Sequence, residues 1–293
     1  MFDIRALYEA ESVDHAIALL EKHPEARIIA GGSDVLIQIR EGKLAGTELV
    51  SIQKLEELRG ISLEADGSIR IGALTSLSAI ARDPLIQTHL KVLAEAVSLI
   101  GGLQIRNIGT IGGNTCNGVS SADSASTLMA LDAVMEYQGQ EGIRRLPIQT
   151  HYVAAGKTAL KHHELLTAIT IPEESYRDCY GHYLKYALRN AMDIALLGCS
   201  VNVRLTGDKR WLERVRIGFG VAGPIPMRSP RAEAAATGEL VSEATLDRAA
   251  QAALAEVRPR SSWRASKELR LQAVAELTKR ALGCSIRHAG GTI

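Results

Sequence analysis

The sequence predicts an α+β chain whose sheets are built from short strands and whose last helices gather at the C-terminal end. Three patterns carry that expectation. A strand–helix–strand succession runs from Arg27 to Ile52. Two alternating segments flank Ala65-Asp66-Gly67-Ser68 in the manner of a hairpin. Three helical stretches then close the chain. With 293 residues, 46% of them apolar, the chain can bury real cores and divide into domains.

Taken in order, Ser12–His23 places Val13, Ala16, Ile17 and Leu20 at helical spacing and is ended by Pro24. Arg27–Ala30 reads as a strand running into Gly31-Gly32, Asp34–Arg40 as a helix and Glu48–Ile52 as a strand. Together these make a small βαβ unit with the glycine pair at its strand-to-helix turn. Ile61–Glu64 and Ile69–Gly72 form the hairpin, and Leu77–Ala81 and Leu90–Leu99 are helical. Gly101–Ser124 then reads as a long ordered loop, held by Ile105, Ile108 and Ile111. Ala133–Tyr137 and Leu165–Ile171 are strands, and the polar Pro172–Tyr180 marks a boundary. Beyond it Tyr183–Ala187, Ile194–Leu205 and Val215–Val221 are strands, while Arg231–Ala236, Glu243–Val257 and Ser266–Leu282 are helices.

The chemistry concentrates in two glycine-rich segments. One is Arg27-Ile28-Ile29-Ala30-Gly31-Gly32-Ser33-Asp34, the other Asn107-Ile108-Gly109-Thr110-Ile111-Gly112-Gly113-Asn114. Without a Cβ in the way, backbone N–H groups can approach and point at phosphate oxygens. Two such segments suggest one extended cofactor whose diphosphate is gripped by backbone from two places. Asn107, Thr110, Asn114 and Asn117 add side-chain donors. Read blandly, the first segment is a tight turn with Ser33 as N-cap and the second a glycine-rich turn. Asp34 beside a diphosphate would be repulsive, so its carboxylate is expected to cap backbone N–H groups.

Other features point away from chemistry. A net charge of +1 does not resemble a nucleic-acid surface. Cys116, Cys179, Cys199 and Cys284 lie far apart, which supports neither a zinc ribbon nor an iron–sulfur site. No secretory leader or bilayer-length apolar run is visible, so a cytoplasmic chain with reduced thiols and no membrane insertion is expected. Gly218-Phe219-Gly220-Val221-Ala222-Gly223 spells a dinucleotide fingerprint, but Pro224-Ile225-Pro226 follows where a helix should begin. His162-His163-Glu164 is expected to face water in a polar turn. Cys116 reads as a buried small residue, and Arg189 and Asp193 as either a structural pair or cofactor contacts.

The two segments, with Gln104-Ile105-Arg106-Asn107, Ser121-Ala122-Asp123, Lys185-Tyr186 and Asp193-Ile194-Ala195, resemble the FAD-binding subunit of molybdenum hydroxylases. Pro259-Arg260-Ser261-Ser262-Trp263-Arg264-Ala265-Ser266-Lys267-Glu268 further resembles the separate-chain FAD subunits of bacterial xanthine dehydrogenases. The resemblance implies a two-lobed FAD-binding domain of the PCMH (vanillyl-alcohol-oxidase-like) type over residues 1–175, with lobes of about 1–57 and 58–175. A small α+β flavoprotein C-terminal domain would follow over 176–293.

Carried over residue by residue, Arg27, Ile28, Ile29, Ala30, Gly31, Gly32, Ser33 and Asp34 match the first diphosphate-holding segment. Gly109, Thr110, Ile111, Gly112, Gly113 and Asn114 match the second, with Cys116 and Asn117 continuing the lining. Asp123 matches an acidic position at ribityl or ribose hydroxyls, Leu165 and Leu166 an apolar position beside adenine, and Lys185 a lysine near the flavin. Ile100 and Gly101 match the place where a residue shields one flavin face, an aromatic in some relatives.

No nucleophile–base constellation is visible, which suits a flavin that carries the redox chemistry itself. The resemblance implies FAD, NAD as electron acceptor, and molybdopterin and [2Fe-2S] clusters on partner subunits; the FAD is expected to be non-covalent, since no His or Cys lies within the two glycine segments before Cys116. Those partners would be a molybdopterin-binding large subunit and a [2Fe-2S] small subunit, as a dimer of heterotrimers. Xanthine is the expected substrate of the whole complex. The other readings are a carbon monoxide, nicotinate or other heterocycle hydroxylase subunit, a self-contained flavin oxidoreductase, and a flavin-free assembly module. Trp263 and Arg264 are either an interface cluster or a helix-cap loop with Trp263 in the core.

Overall fold

The computed structural model describes residues 2–293. The first lobe is a parallel sheet with two helices: β1 (Ile4–Glu9), α1 (Val13–Lys22), β2 (Arg27–Ile29), α2 (Val35–Arg40) and β3 (Thr47–Ser51). β3 lies between β1 and β2. The predicted βαβ unit is therefore β2–α2–β3, with β1 as an unforeseen third strand. Its short alternating run, with Leu7 turned to solvent, gives little hydrophobic signal. The Ser12 hydroxyl accepts the His15 N–H and starts α1, which buries Val13, Ala16, Ile17 and Leu20. They pack on Val50, Ile52, Leu55 and Leu58.

The second lobe opens with β4 (Ile61–Leu63) and β5 (Ile69–Gly72), then a run of short helices: α3 (Leu77–Arg82), α4 (Pro84–His89), α5 (Lys91–Ser98), α6 (Leu103–Ile108), α7 (Ile111–Cys116) and α8 (Asp123–Ala130). It closes with β6 (Val134–Gly139), β7 (Gly142–Pro147), β8 (Tyr152–Ala154), β9 (Lys157–Thr158) and β10 (Leu165–Ile171). Its main sheet is antiparallel in the order β4-β5-β10-β6-β7, and β8 pairs only with β9. The expected Gly101–Ser124 loop is instead α6, α7 and the start of α8. Glycine disfavours helix locally, but here tertiary contact overrides propensity. The Thr110 side chain accepts from the Gly113 N–H, and the Gly112 N–H donates 2.9 Å to the Ala73 carbonyl.

The C-terminal part is an antiparallel sheet, β11 (Cys179–Tyr186), β12 (Leu197–Leu205), β13 (Leu212–Gly220) and β14 (Met227–Arg228), with α9 (Pro230–Ala236), α10 (Glu243–Glu256) and α11 (Lys267–His288). Alternation along β13 sends Ile217 and Phe219 into the core shared with α10 and α11. Gly218 and Gly220 face the other way. A Cβ on Gly218 would lie 2.0 Å from the Ser126 carbonyl oxygen of α8, so glycine is required by close backbone packing. No helix begins at Gly223, which explains the fingerprint-like letters as a strand end against a helix. The mixed sheets and terminal helices match the predicted α+β class.

Candidate functional site

The two glycine segments meet in space. A Cβ on Gly31 would lie 1.9 Å from the Ile108 carbonyl oxygen, so the β2–α2 turn and the end of α6 touch backbone to backbone. Gly32 has φ +75°, a left-handed conformation that glycine adopts at no steric cost. Between the segments opens a cleft of about 560 Å³. Arg27, Ile28, Ala30, Gly31, Gly32, Ser33 and Asp34 line it on one side, Gly109, Thr110, Gly112, Gly113, Asn114, Cys116 and Asn117 on the other. Leu165, Leu166 and Ile100 complete the predicted part of the wall.

The donor chemistry of the two sides differs. Among the described residues, the N–H groups of Gly31, Gly32, Ser33, Asp34 and Val35 find no acceptor within the protein. A row of unpaired backbone donors on residues that line a cleft suits a phosphate or diphosphate. The second segment spends its backbone internally. Ile111 donates to Thr75, Gly112 to Ala73, Gly113 to the Thr110 hydroxyl and Asn114 to the Thr110 carbonyl, which leaves the Thr110 N–H. The expected second backbone grip is thus corrected: here side chains remain. Asn114 accepts the Ser124 hydroxyl at 2.6 Å through Oδ1, so its amide nitrogen keeps both donors. With its apolar flanks, the cleft has the chemistry to hold FAD.

Neither Ser33 nor Asp34 caps α2 with its side chain, contrary to expectation. Burial raises the Asp34 carboxyl, and Asn117 of the second segment opposes that only in part. Cys116 is half-buried, and burial pushes its thiol up to about 12, which leaves it an inert lining group.

Five predicted residues do not line the cleft. Ile29 pairs with Ser51 in the sheet, Ile111 is fully buried, and Gly101 turns at φ +51° beside Ile105. Asp123 and Lys185 form a buried ion pair at 2.8 Å, their side chains 6% and 8% exposed. Tyr183 donates to the same carboxylate at 2.6 Å, and Lys185 also donates to the Leu99 carbonyl at 3.0 Å. Leu99 precedes Ile100 of the cleft wall, so this triad stands directly behind it. Burial raises the Asp123 carboxyl, with Lys185 opposing. Asp123 is the first residue of α8, and its carboxylate accepts from Tyr183 and Lys185.

The sequence reading missed Pro24, Glu25 and Ala26 after α1, Gln38 of α2, and Thr158, Leu160, Lys161 and His162. His162 had a signal, a histidine pair beside a predicted strand, yet was expected to face water. Its Nε2–H donates to the Leu20 carbonyl at 3.1 Å and ties the two lobes at the cleft. Glu164 is buried, not solvated, and pairs with Arg144. Arg189 and Asp193 pair structurally, the Arg189 N–H donating to the Asp193 carboxylate at 2.9 Å. Trp263 is 82% exposed, which removes it from the core.

The comparisons with known proteins agree with this geometry. The family of the FAD binding domain in molybdopterin dehydrogenase matches residues 2–174, and the CO dehydrogenase flavoprotein C-terminal domain matches residues 182–285. The chain is 41% identical over 293 residues, all of both chains, to the xanthine dehydrogenase FAD-binding subunit of Escherichia coli O157:H7. It is 28% identical to the carbon monoxide dehydrogenase medium chain of Hydrogenophaga pseudoflava, covering 94% of each. A solved structure of carbon monoxide dehydrogenase from that organism superposes with a TM-score of 0.93 at 28% identity, covering 99% of each chain. The chain therefore belongs to the FAD-subunit family of the molybdenum hydroxylases.

Proposed function

We propose that this chain binds FAD non-covalently in the cleft and is the electron-transfer subunit of a xanthine dehydrogenase-type complex that reduces NAD. The observation that carries the reading is the row of N–H groups from Gly31 to Val35, unpartnered among the described residues, on residues that line the same cleft as the second glycine segment. Full-length identity of 41% to a xanthine dehydrogenase FAD-binding subunit supports the purine branch. In this reading the chain is one subunit beside a molybdopterin-binding chain and a [2Fe-2S] chain.

When bound, FAD supplies the hydride and single-electron chemistry. The protein's share is placement. The N–H groups of the first segment neutralise diphosphate charge, with the amide of Asn114 adding a side-chain donor. Leu165 and Leu166 would offer adenine an apolar wall, and the wall at Ile100 is kept in place by Lys185 through the Leu99 carbonyl. Asp123 holds that lysine in position at 2.8 Å. Arg106 donates to the Ile100 and Gly101 carbonyls at 3.1 and 3.0 Å and fixes the same turn from the other side.

The test is a substrate and acceptor panel on the purified complex. NADH formation with xanthine, and none with carbon monoxide or nicotinate, is the expected result. Turnover of another heterocycle, or with an acceptor other than NAD, would move the chain to a different branch of the same family.

A further inference from the structure

The segment between α10 and α11 holds charge and aromatic surface that the cleft does not use. Residues 257–270 carry Arg258, Arg260, Arg264, Lys267 and Arg270 against a single acid, Glu268. Among the described residues none of these cations forms an ion pair; the nearby pairs are Arg248–Glu239, Lys279–Asp247 and Arg280–Glu276. Arg270 is 4% exposed and has no carboxylate. It donates to the Arg260 carbonyl and, at 2.9 Å, to the Ser262 hydroxyl, while its Nε is buried without an acceptor. Burying a guanidinium without a counter-charge is costly in an isolated chain. Arg270 thereby clamps the loop that presents Trp263, whose exposed indole lies under the Arg264 guanidinium at 4.3 Å.

We propose that this loop is a docking point for an acidic protein surface on another chain of the complex. Trp263 is its anchor, and partner carboxylates supply the counter-charge that Arg260 and Arg264 lack, while buried Arg270 holds the loop in shape. Tryptophan and arginine are the residues on which interface energy concentrates, and a clamped loop loses little freedom on binding. A near-neutral chain with one local basic loop fits a single acidic partner patch rather than a polyanion. The inference rests on the reading of the chain as a subunit.

The experiment co-expresses the full complex with wild-type chain, Trp263→Ala or Arg264→Glu, and follows subunit dissociation by dilution at low and high salt. Trp263→Ala is expected to weaken association by about tenfold or more, as loss of an interface anchor does. Arg264→Glu should weaken it further and remove part of the salt dependence. Flavin content and thermal stability should stay at wild-type values, because both side chains lie outside the cleft and the core. In a Trp211→Phe background, acrylamide quenching of Trp263 should fall when the complex forms. Unchanged dissociation of both variants, with the wild-type complex intact, would overturn the docking point and leave the subunit reading standing. A wild-type chain that purifies with no partner would overturn both.

Discussion

Asn114 shows how one side chain divides its work. Its oxygen is held by Ser124, which fixes the amide and leaves both N–H donors free on a residue that lines the cleft. Asn114→Asp keeps the acceptor for Ser124 but replaces donors with negative charge. FAD affinity should fall by at least about tenfold, the scale of losing a charge-assisted hydrogen bond, with little change in melting temperature. Titrating FAD into flavin-stripped complex checks this, and unchanged affinity would remove Asn114 from the site. His151 gives a pH signature. It is fully buried, with Nε2–H donating to the Thr115 carbonyl and Nδ1 accepting from Tyr137. Burial lowers its pKa from 6.5 to about 4, the Thr115 bond opposing. Folding therefore favours the neutral ring. The stability is complete above the unfolded value and is lost as pH falls from 6.5 toward 4. Between about pH 7 and about pH 5 this one group costs roughly 2 kcal/mol. Urea unfolding should show His151→Gln losing that much less on acidification; parallel curves would contradict it.

At the scale of elements, the junction of α8 with the C-terminal sheet rests on Asp132, which follows α8 at φ +49°. Its carboxylate binds Arg214 at 2.8 Å, Arg216 at 3.0 Å and Arg228, and Arg228 also pairs with Glu233 of α9. Burial raises the Asp132 carboxyl, but Arg228, Arg216 and Arg214 together hold it below its ordinary value. Asp132→Ala removes the common partner of these cations and should destabilise the protein by about 3 kcal/mol, read as a lowered denaturation midpoint. A midpoint within error of wild type would mean the network is dispensable. The elements legible in the sequence are those with a strong period. These are α1, α10 and α11, the β4–β5 hairpin, and the apolar β10 and β12. Those missed draw their stability from partners distant in sequence. β7 reads Gly-Ile-Arg-Arg-Leu-Pro, and its arginines become intelligible only once Glu136 and Glu164 stand beside them. α7 is glycine-rich and helical because Ala73 and Thr75 receive its first N–H groups.

For the whole molecule, the candidate site was legible where glycine marks close backbone approach and obscure where ordinary side chains come from another lobe. Gly31 and Gly112 are legible because neighbouring backbone leaves no room for a Cβ. His162, Lys161 and Glu25 carry no such mark; only the folded chain brings the β9–β10 loop over the end of α1. The same limit applies to Asp123 and Lys185, whose mutual burial behind Ile100 depends on α8 lying against β12 and β13. The central proposal is that this cleft is the FAD site of an NAD-linked complex. The most direct measurement is the visible spectrum of the native complex before and after anaerobic addition of NADH. The account predicts a flavin spectrum, assigned to this chain by its FAD content, that NADH bleaches. Absence of flavin from this chain, or a flavin that NADH leaves oxidised, would contradict it.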